Sequence, residues 1–524
     1  MGTRNILKSS FTLMLFTSAS RVLGLVREMV SAAFLGTGAL ADAFRVAFMI
    51  PNFLRRLFAE GTMATAFVPT FKGYLVEGNQ KDIRRFLSAS LGVLSFLVSI
   101  TVVLGILASP LLVRLFFKTD PAETILQTRI MFPYLGFISL AALLQGILNA
   151  DDSYGPSGFV PILFNICVIS ATFLLKDLAG NPARAMAIGV VAGGVLQALF
   201  QLPFVLKKGF RFGLMELREA FAHEGVKRMG RLIAPTILGM AAYQVNDFVA
   251  SSLASRAGTG VLSSLTFSLR LQELVLGIVV VSISTVLLTE LSKSAKKAEW
   301  ERFNDKLAFA LKTMVLLTVP SVIWAQLHGK EIISLLFKQA AFDEESVHLT
   351  LDAFRWHITA IVCIGFNRIL APVFYSMGNT RAPAYAGVVS VAVNILLVAL
   401  LAGPFAGGGI ALATSLAALA NTAALVIPLF RHREIQSGKL LVKLGAYLGL
   451  MLAASILCAV PVWFLRDFLV THLAGGGRLL AWGVPLLVDA LVFFGLGFGL
   501  LYLLKDPQVR GLAGIIARKL RKKD

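Results

Sequence analysis

The chain has 524 residues, of which 57% are hydrophobic and only 15% are charged, and its formal net charge is +20. A soluble protein carries about 25% charged residues, so this composition excludes an ordinary soluble domain and indicates a polytopic membrane protein. The basic residues lie in short loops between apolar runs rather than in a stripe that could follow phosphates, so we expect no nucleic-acid partner. The three cysteines are far apart and predict neither a metal site nor a disulfide framework, and we expect no cofactor.

Apolar windows recur along the whole chain, and each is about 20 residues long, the length that crosses a bilayer. They predict an all-α polytopic membrane protein with about 14 transmembrane helices. The predicted helices cover residues 9–35, 39–70, 87–117, 124–149, 155–175, 183–206, 226–255, 260–291, 305–337, 349–376, 382–402, 408–430, 440–465 and 480–504.

Loop charge predicts the orientation of these helices. The connections at 36–40 and 404–408 carry no charge, whereas the opposite side carries basic clusters such as Lys81, Arg84 and Arg85. Because cytoplasmic loops carry the excess of lysine and arginine, both termini are predicted to lie in the cytoplasm of a bacterial inner-membrane protein. An even number of helices requires the same arrangement.

Short internal matches predict that the fold is repeated. Gly-Thr-Gly occurs at 36–38 and 258–260, Phe-Lys at 117–118 and 337–338, and Asn-Ile at 165–166 and 394–395, all at nearly one spacing. A repeat of six helices gives two pseudo-symmetric halves of the same orientation with a substrate cavity between them. The predicted organisation is an N-terminal lobe at 1–206, a cytoplasmic linker at 207–225, a C-terminal lobe at 226–430, and two additional helices with a basic cytoplasmic tail at 431–524.

Charged residues interrupt the first two predicted helices, and arginines outnumber acids among them. A charge at the bilayer centre costs at least about 2.5 kcal/mol, so such residues normally face a bundle interior or a wet cavity. Pro51 breaks the hydrogen-bond ladder of the second helix, and freed backbone groups are tolerated only where they face a cavity. The planar guanidinium binds phosphate oxygens with two hydrogen bonds and stays charged when desolvated. Four candidates to clamp a pyrophosphate follow: Arg21, Arg27, Arg55 and, in the second repeat, Arg270.

Five further residues are candidates to orient these arginines or to gate the cavity: Ser20, Glu28, Asp42, Glu60 and Glu273. Ser20 is small and permits close helix approach, and Glu273 lies on one helix face with Arg270. An alternative stays open, in which these charges only pair with each other. Helical spacing suits the local pairs Asp42–Arg45, Arg56–Glu60 and Arg270–Glu273.

Several stretches together resemble the signature of the MurJ/MviN lipid II flippase family, within the multidrug/oligosaccharidyl-lipid/polysaccharide exporter superfamily. The resemblance is densest in the first third of the chain, although the predicted helix count fits over its whole length. The stretches that carry it are SRVLGLVRE (20–28), DAF (42–44), PNFLRRLFAEG (51–61), AFVP (66–69), RIMFPYLGFISLAALLQGILNA (129–150) and LSKS (291–294).

The resemblance implies a transporter that moves lipid II, the undecaprenyl-pyrophosphate-linked peptidoglycan precursor, from the cytoplasmic to the periplasmic leaflet by alternating access. It implies that the four candidate arginines line the central cavity, that Asp42 is functionally important and that Glu28 acts in gating. It also implies that the last two helices form a groove for the lipid tail. Cell-wall synthesis proteins are a further class of partner that such a role suggests.

The sequence departs from the family pattern at several positions, which leaves the energy source open. Leu269 stands where an acid is often found, and Asn379 stands where an aspartate is common. Val398, rather than an acid, follows four residues after Asn394, so no convincing set of sodium ligands is present. The alternatives are coupling to the membrane potential, to a proton or to another ion.

Three alternative functions would each need a particular set of residues, which can be compared with the residues in this sequence. A flippase for another undecaprenyl-linked glycan, of the O-antigen type, would need the same cations, and only the family motifs favour lipid II. A drug or cation antiporter on the same fold would need an acid-lined cavity. A membrane-embedded enzyme acting on polyprenyl phosphates would need clustered carboxylates with a metal, or a nucleophile set, and the sequence predicts neither. We therefore expect a transporter without catalytic residues.

Overall fold

The computed structural model describes residues 3–56, 63–279, 290–432, 434–473, 475–511 and 514. All regular secondary structure in these residues is helical. Nine of the described helices are long and apolar enough to cross a membrane. The predicted all-α membrane fold is thereby confirmed, whereas the count of about 14 spans stays a prediction.

Most of the described helices follow one another with short connections. They are α1 (Thr3–Leu35), α2 (Ala39–Arg55), α3 (Val68–Glu77), α4 (Gln80–Phe116), α5 (Pro121–Ala150), α6 (Tyr154–Leu175), α7 (Pro182–Lys207), α8 (Leu217–Ala222), α9 (Glu224–Ala257), α10 (Val261–Val279), α11 (Trp300–Leu327), α12 (Gly329–Phe337), α13 (Glu344–Ser376), α14 (Arg381–Leu429), α15 (Ser437–Leu473) and α16 (Val484–Leu503). Single π-helical turns at Met63–Phe67 and Leu479–Gly483 precede α3 and α16.

The helix predicted over 305–337 is divided in the structure at His328, which separates α11 from α12. Gly329 begins α12 and lies so close to α13 that a Cβ atom there would be 2.8 Å from Leu351 Cδ1. A glycine at this position therefore permits the short α12 to pack tightly against α13. Hydropathy alone did not predict this division because both segments are apolar.

Helix α14 corresponds to the two helices predicted over 382–402 and 408–430. Its backbone is not helical at Ala406, where φ is 42° and ψ is −125°. Pro404 lacks an amide hydrogen and so cannot complete the hydrogen-bond ladder, and three glycines follow the kink at Gly407–Gly409. The two predicted helices are therefore present, joined by a kink rather than by a loop.

The chain divides into two compact units, one of residues 1–263 with 339–342 and the other of residues 264–338 with 343–524. In the first unit, the rings of Phe67, Phe71 and Phe86 stack at centroid distances of 5.4 and 5.7 Å and are fully buried. Helix α9, which the sequence repeat assigns to the second lobe, belongs to this first unit. The predicted lobes rest on sequence repeats, and that organisation stays a prediction.

Two glycines of α7 allow that helix to approach α6 closely within the first unit. A Cβ atom at Gly189 would lie 2.9 Å from Val168 Cα and 2.8 Å from Ala171 Cβ. A Cβ atom at Gly193 would lie 2.9 Å from Phe164 Cδ2. Small residues are common at helix interfaces in membranes. Moving an apolar side chain from lipid to protein contributes little free energy there, so close packing of the helices provides the attraction.

We expect Gly189→Ala to destabilise the protein, because the added Cβ atom would overlap the backbone of α6; overpacking of this kind costs about 1–3 kcal/mol. The matched control is Gly136→Ala in α5, where a Cβ atom would meet nothing within 4 Å and helix propensity improves by up to about 1 kcal/mol. The midpoint of thermal unfolding in detergent measures both effects. A midpoint for Gly189→Ala that equals or exceeds that of Gly136→Ala would contradict the close packing.

Candidate functional site

A buried acid on α1 joins two arginines. Glu28 is only 2% exposed, and its two carboxylate oxygens accept hydrogen bonds of 2.8 Å from Arg27 Nη2 and from Arg45 Nη2 on α2. Arg45 Nη2 also donates to Ser31 Oγ at 3.4 Å. Removing one partner of a buried ion pair leaves an uncompensated charge, so this group of charges fixes α1 against α2.

Asp42, in the first turn of α2, binds the start of α10. Its oxygens accept hydrogen bonds from Gly260 N at 2.6 Å, from Ser263 N at 2.9 Å and from Ser263 Oγ at 2.6 Å. The side chain is only 3% exposed. A carboxylate at a helix N-terminus satisfies amide groups that lack intrahelical partners and interacts favourably with the helix dipole. Asp42 therefore acts as a capping group supplied from 218 residues away in sequence.

The turn between α1 and α2 is also held by backbone contacts. Gly36 has a positive φ of 58°, and a Cβ atom there would lie 2.2 Å from the carbonyl oxygen of Ala341. Ala341 N donates to Ala33 O at 3.0 Å. Only glycine accommodates both the left-handed backbone and this close approach. The first Gly-Thr-Gly turn is thus packed against the residues that follow the second Phe-Lys pair.

The second copy of these motifs makes the reciprocal contact. Ser252 Oγ, near the end of α9, donates to Phe116 O, and Ser255 Oγ accepts from Lys118 N at 3.1 Å. Arg256 Nη2 donates to Leu115 O at 2.8 Å. The end of α9, just before the second Gly-Thr-Gly turn, is thus packed against the first Phe-Lys pair. The repeated motifs were visible in the sequence, but their mutual contacts were not.

The candidate arginines of α1 and α2 lie in the first unit in different surroundings. Arg21 is exposed. Arg27 is 19% exposed, and its guanidinium carbon lies 5.6 Å from the ring centroid of Phe164 on α6. Arg55 follows Pro51, and its Nε donates to Asn52 Oδ1 at 2.7 Å.

The candidate Ser20 lies where α1 contacts α6, since its carbonyl oxygen accepts a hydrogen bond of 3.3 Å from Asn165 Nδ2. In the second unit, Arg270 Nη1 and Glu273 Oε2 are 2.6 Å apart, with the two side chains 44% and 61% exposed. The pairing proposed for them from helical spacing is therefore present. Glu60 lies outside the residues that the structure describes.

Of the other two local pairs considered from helical spacing, Arg56–Glu60 stays a prediction, because Glu60 lies outside the described residues. Asp42 and Arg45 each contact groups on other helices, as described above. Arg56 Nη1 lies 3.2 Å from Gln244 Oε1 and 3.8 Å from Asp247 Oδ2, both on α9. Contacts between helices thus account for Asp42 and Arg45, which sequence spacing assigned to each other on one helix. That the four candidate arginines form one pyrophosphate clamp stays a prediction.

A small apolar cavity of about 100 Å³ lies in the second unit between α11, α15 and α16. Its walls include Pro320 of α11, Met451 and Cys458 of α15, and Phe493 and Gly497 of α16. It therefore lies beside the last two helices, where the family resemblance implies a groove for a lipid tail. Among the described residues, no group of three or more histidine, cysteine, aspartate or glutamate side chains could hold a metal ion.

We expect Asp42→Asn to lower the thermal unfolding midpoint of the purified protein. The substitution replaces one accepting oxygen by an NH₂ group beside backbone donors, and a lost hydrogen bond to a buried charged group costs about 1.5–3 kcal/mol. The matched control is Asp247→Asn on α9, because Asp247 is 51% exposed and lies 3.8 Å from Arg56. Equal midpoints for the two variants would contradict the capping role of Asp42.

Sequence comparison places these features in a known family. The model of the family described as lipid II flippase MurJ matches residues 31–475. A protein named probable lipid II flippase MurJ from Treponema pallidum (strain Nichols) is 42% identical over 509 residues, which cover 96% of both chains. The lipid II flippase MurJ of Burkholderia cenocepacia is 30% identical over 507 residues, which cover 94% of this chain and 97% of that protein.

Solved structures show the same fold. A structure described as lipid II flippase MurJ in an inward closed conformation superposes with a TM-score of 0.76 at 24% identity, covering 94% of this chain and 99% of that one. An inward-facing multidrug resistance transporter of the MATE family, from the MOP superfamily, superposes with a TM-score of 0.63 at 14% identity. The family match over most of the chain, with relatives at 30–42% identity, shows that this chain belongs to the lipid II flippase MurJ family.

Proposed function

We propose that this chain moves lipid II from the cytoplasmic to the periplasmic leaflet of the bacterial inner membrane. The observation that carries the proposal is the family match over residues 31–475, together with a relative at 42% identity that is itself named a probable lipid II flippase. The nine apolar helices in the described residues support a protein that works inside the bilayer. In this proposal the chain is a transporter, and its substrate leaves chemically unchanged.

The chemistry of the substrate suits the candidate arginines. A pyrophosphate in a low-dielectric cavity needs cations that stay charged when desolvated, and guanidinium groups meet that need with paired hydrogen bonds. We assign this role to Arg21, Arg27, Arg55 and Arg270. The contacts of Glu28 with Arg27 and Arg45 support an orienting role for that acid, because it limits the directions in which Arg27 can point. Most of the polyprenyl tail can remain in lipid.

Alternating access requires contacts that form and break without covalent change, and we assign Asp42 to such a gate. Its three hydrogen bonds to Gly260 and Ser263 support this role, because they join α2 to the start of α10 at a single point. The gate would lie at the membrane side predicted to face the periplasm, since the uncharged connection at 36–40 is on that side. Placement of both termini in the cytoplasm belongs to the same proposal.

The membrane potential is the energy source that we propose. Moving one elementary charge across the potential is worth about 2.3 kcal/mol per 100 mV. An anionic pyrophosphate carried outward moves toward the positive side, so an inside-negative potential favours its export. The departures from the family pattern near Asn394 support a source other than bound sodium, because Val398 offers no oxygen ligand in its side chain.

We expect Arg55→Ala and Arg270→Ala each to reduce lipid II export by about tenfold or more, since a hydrogen bond to a charged group contributes about 1.5–3 kcal/mol. The measurement uses cells that are depleted of their own lipid II flippase and complemented with this chain. Export is read as cleavage of lipid II by an enzyme confined to the outer face of the membrane.

The matched control is Arg302→Ala, because Arg302 is 64% exposed and makes only a local ion pair with Glu299 within the described residues. It should retain export. Export by both cavity variants at the control level would contradict the arginine clamp. No export by the unaltered chain, despite correct insertion, would contradict lipid II as the substrate and favour another undecaprenyl-linked glycan.

We also expect Gly497→Phe to reduce export, because the new ring would occupy the apolar cavity between α11, α15 and α16, where we place part of the lipid tail. A Cβ atom at Gly497 would meet nothing within 4 Å, so the variant should fold. Gly495→Phe is the control, since Gly495 is exposed on the same helix and is not part of the cavity wall. The same export assay measures both variants, and equal export would show that the cavity has no role in transport.

A further inference from the structure

The two terminal helices are attached to one short segment, which comprises His328 and α12. Arg466 of α15 donates through Nε to Glu331 Oε1 at 2.9 Å. Arg478, just before the π-helical turn, donates through Nε to Leu335 O at 2.6 Å and through Nη2 to Leu336 O. His328 and Asp489 of α16 form the third contact, with 3.8 Å between Nε2 and Oδ2. We call these three contacts the terminal anchor.

The third contact differs from the other two because it is not a hydrogen bond. His328 and Asp489 are each 0% exposed. Neither ring nitrogen of His328 and neither carboxylate oxygen of Asp489 has a hydrogen-bond partner among the residues that the structure describes. Buried polar groups are nearly always hydrogen-bonded, and a buried charge without a partner is especially costly. Two facing titratable groups with four unpartnered atoms therefore need a chemical explanation.

The charges around this pair are otherwise balanced. On the elements packed against it, the charged groups that act on it are Glu331 and Arg466, which pair with each other. The guanidinium of Arg478 is not among them, because it is turned to the carbonyl groups of Leu335 and Leu336. Lys330 and Glu344 form a separate pair at 2.6 Å, and both are more exposed. An ionised Asp489 would therefore add a net negative charge to a buried site. Only a proton, on the carboxyl or on the imidazole, restores neutrality.

Geometry decides between the two positions of that proton. An imidazolium facing a carboxylate at 3.8 Å would desolvate two charges without gaining a hydrogen bond between them, and attraction repays that penalty only when the geometry is excellent. A neutral carboxylic acid facing a neutral imidazole desolvates no charge. We propose that Asp489 and His328 form a buried proton-binding site, in which Asp489 is the neutral acid at neutral pH.

The surroundings of the site connect it to the apolar cavity described above. The ring of Trp324 lies 5.1 Å from that of His328 and 6.2 Å from that of Phe494, measured between centroids. Phe493, one turn after Asp489 on α16, lines the cavity. Ionisation of Asp489 would therefore create a charge where α16 meets α11, beside an apolar wall. The bound proton permits α16 to dock, and its loss weakens the terminal anchor.

Infrared spectroscopy of the purified full chain in lipid nanodiscs tests the site directly. A protonated carboxylic acid has a C=O stretching band that a carboxylate lacks. We expect such a band at neutral pH, its loss in alkaline buffer, and its absence in Asp489→Asn. Asp467→Asn is the matched control, because Asp467 is exposed on α15, and it should retain the band. A band that is missing from the unaltered protein, or that persists in Asp489→Asn, would overturn the proposal.

A second measurement remains informative if Asp489→Asn folds poorly. His328→Gln keeps the acid but removes the facing imidazole, so the pH at which the band disappears should move; an unchanged pH would show that the two residues do not share a site.

Thermal unfolding gives an independent result. An aspartate in the unfolded chain is ionised at neutral pH, so the folded protein binds one more proton and stability falls as pH rises. Asp489→Asn should remove the larger part of this decrease of the unfolding midpoint with rising pH. An unchanged dependence of the midpoint on pH would contradict the site.

Discussion

The structure depends on one physical constraint, which is that a charge surrounded by lipid or by apolar side chains must find a partner or lose its charge. Glu28 shows the strongest form of pairing, because both of its oxygens bind arginines from two helices. That arrangement leaves Arg27 with a fixed neighbour while its guanidinium still lies over an aromatic ring. Apolar helices can therefore carry several arginines close together, provided that a few acids reduce the electrostatic repulsion between the guanidinium groups.

The same constraint makes a carboxylate suitable for a gate. Hydrogen bonds to a charged group contribute about 1.5–3 kcal/mol each, so the three that Asp42 accepts contribute several kcal/mol together. In the proposed cycle, the membrane potential would supply about 2.3 kcal/mol per charge per 100 mV, and a moving pyrophosphate would carry more than one charge. These energies are of similar size. Under the proposed function, a contact of this strength would keep one state closed in the absence of substrate and would still open within the energy available to a transport cycle.

Sequence analysis predicted the helices well because hydrophobic length is a local property. It also selected Arg21, Arg27, Arg55 and Arg270 as candidates, since an arginine inside an apolar run is conspicuous at any position, and their shared role stays a prediction. It did not predict that Asp42 binds Gly260 and Ser263, because those residues are more than 200 positions away and helical spacing suggested Arg45 as a nearer partner. The division at His328 was missed for a related reason: hydropathy averages over a window and does not detect one residue at which a helix ends. Partners that come from distant segments are determined by tertiary packing.

Three buried acids of this protein illustrate three solutions to the same problem. Asp42 is held by amide and hydroxyl donors at a helix N-terminus, and Glu331 is held by the guanidinium of Arg466. In both arrangements, donated hydrogen bonds compensate part of the free energy that burial costs the carboxyl group. Asp489 has no donor among the described residues other than the distant imidazole of His328, and it is as deeply buried as the other two. If Asp489 were ionised, no hydrogen bond from a described residue would compensate its charge. This difference in donors is the reason that we propose a proton at Asp489, and under that proposal the attachment of the terminal helices depends on pH.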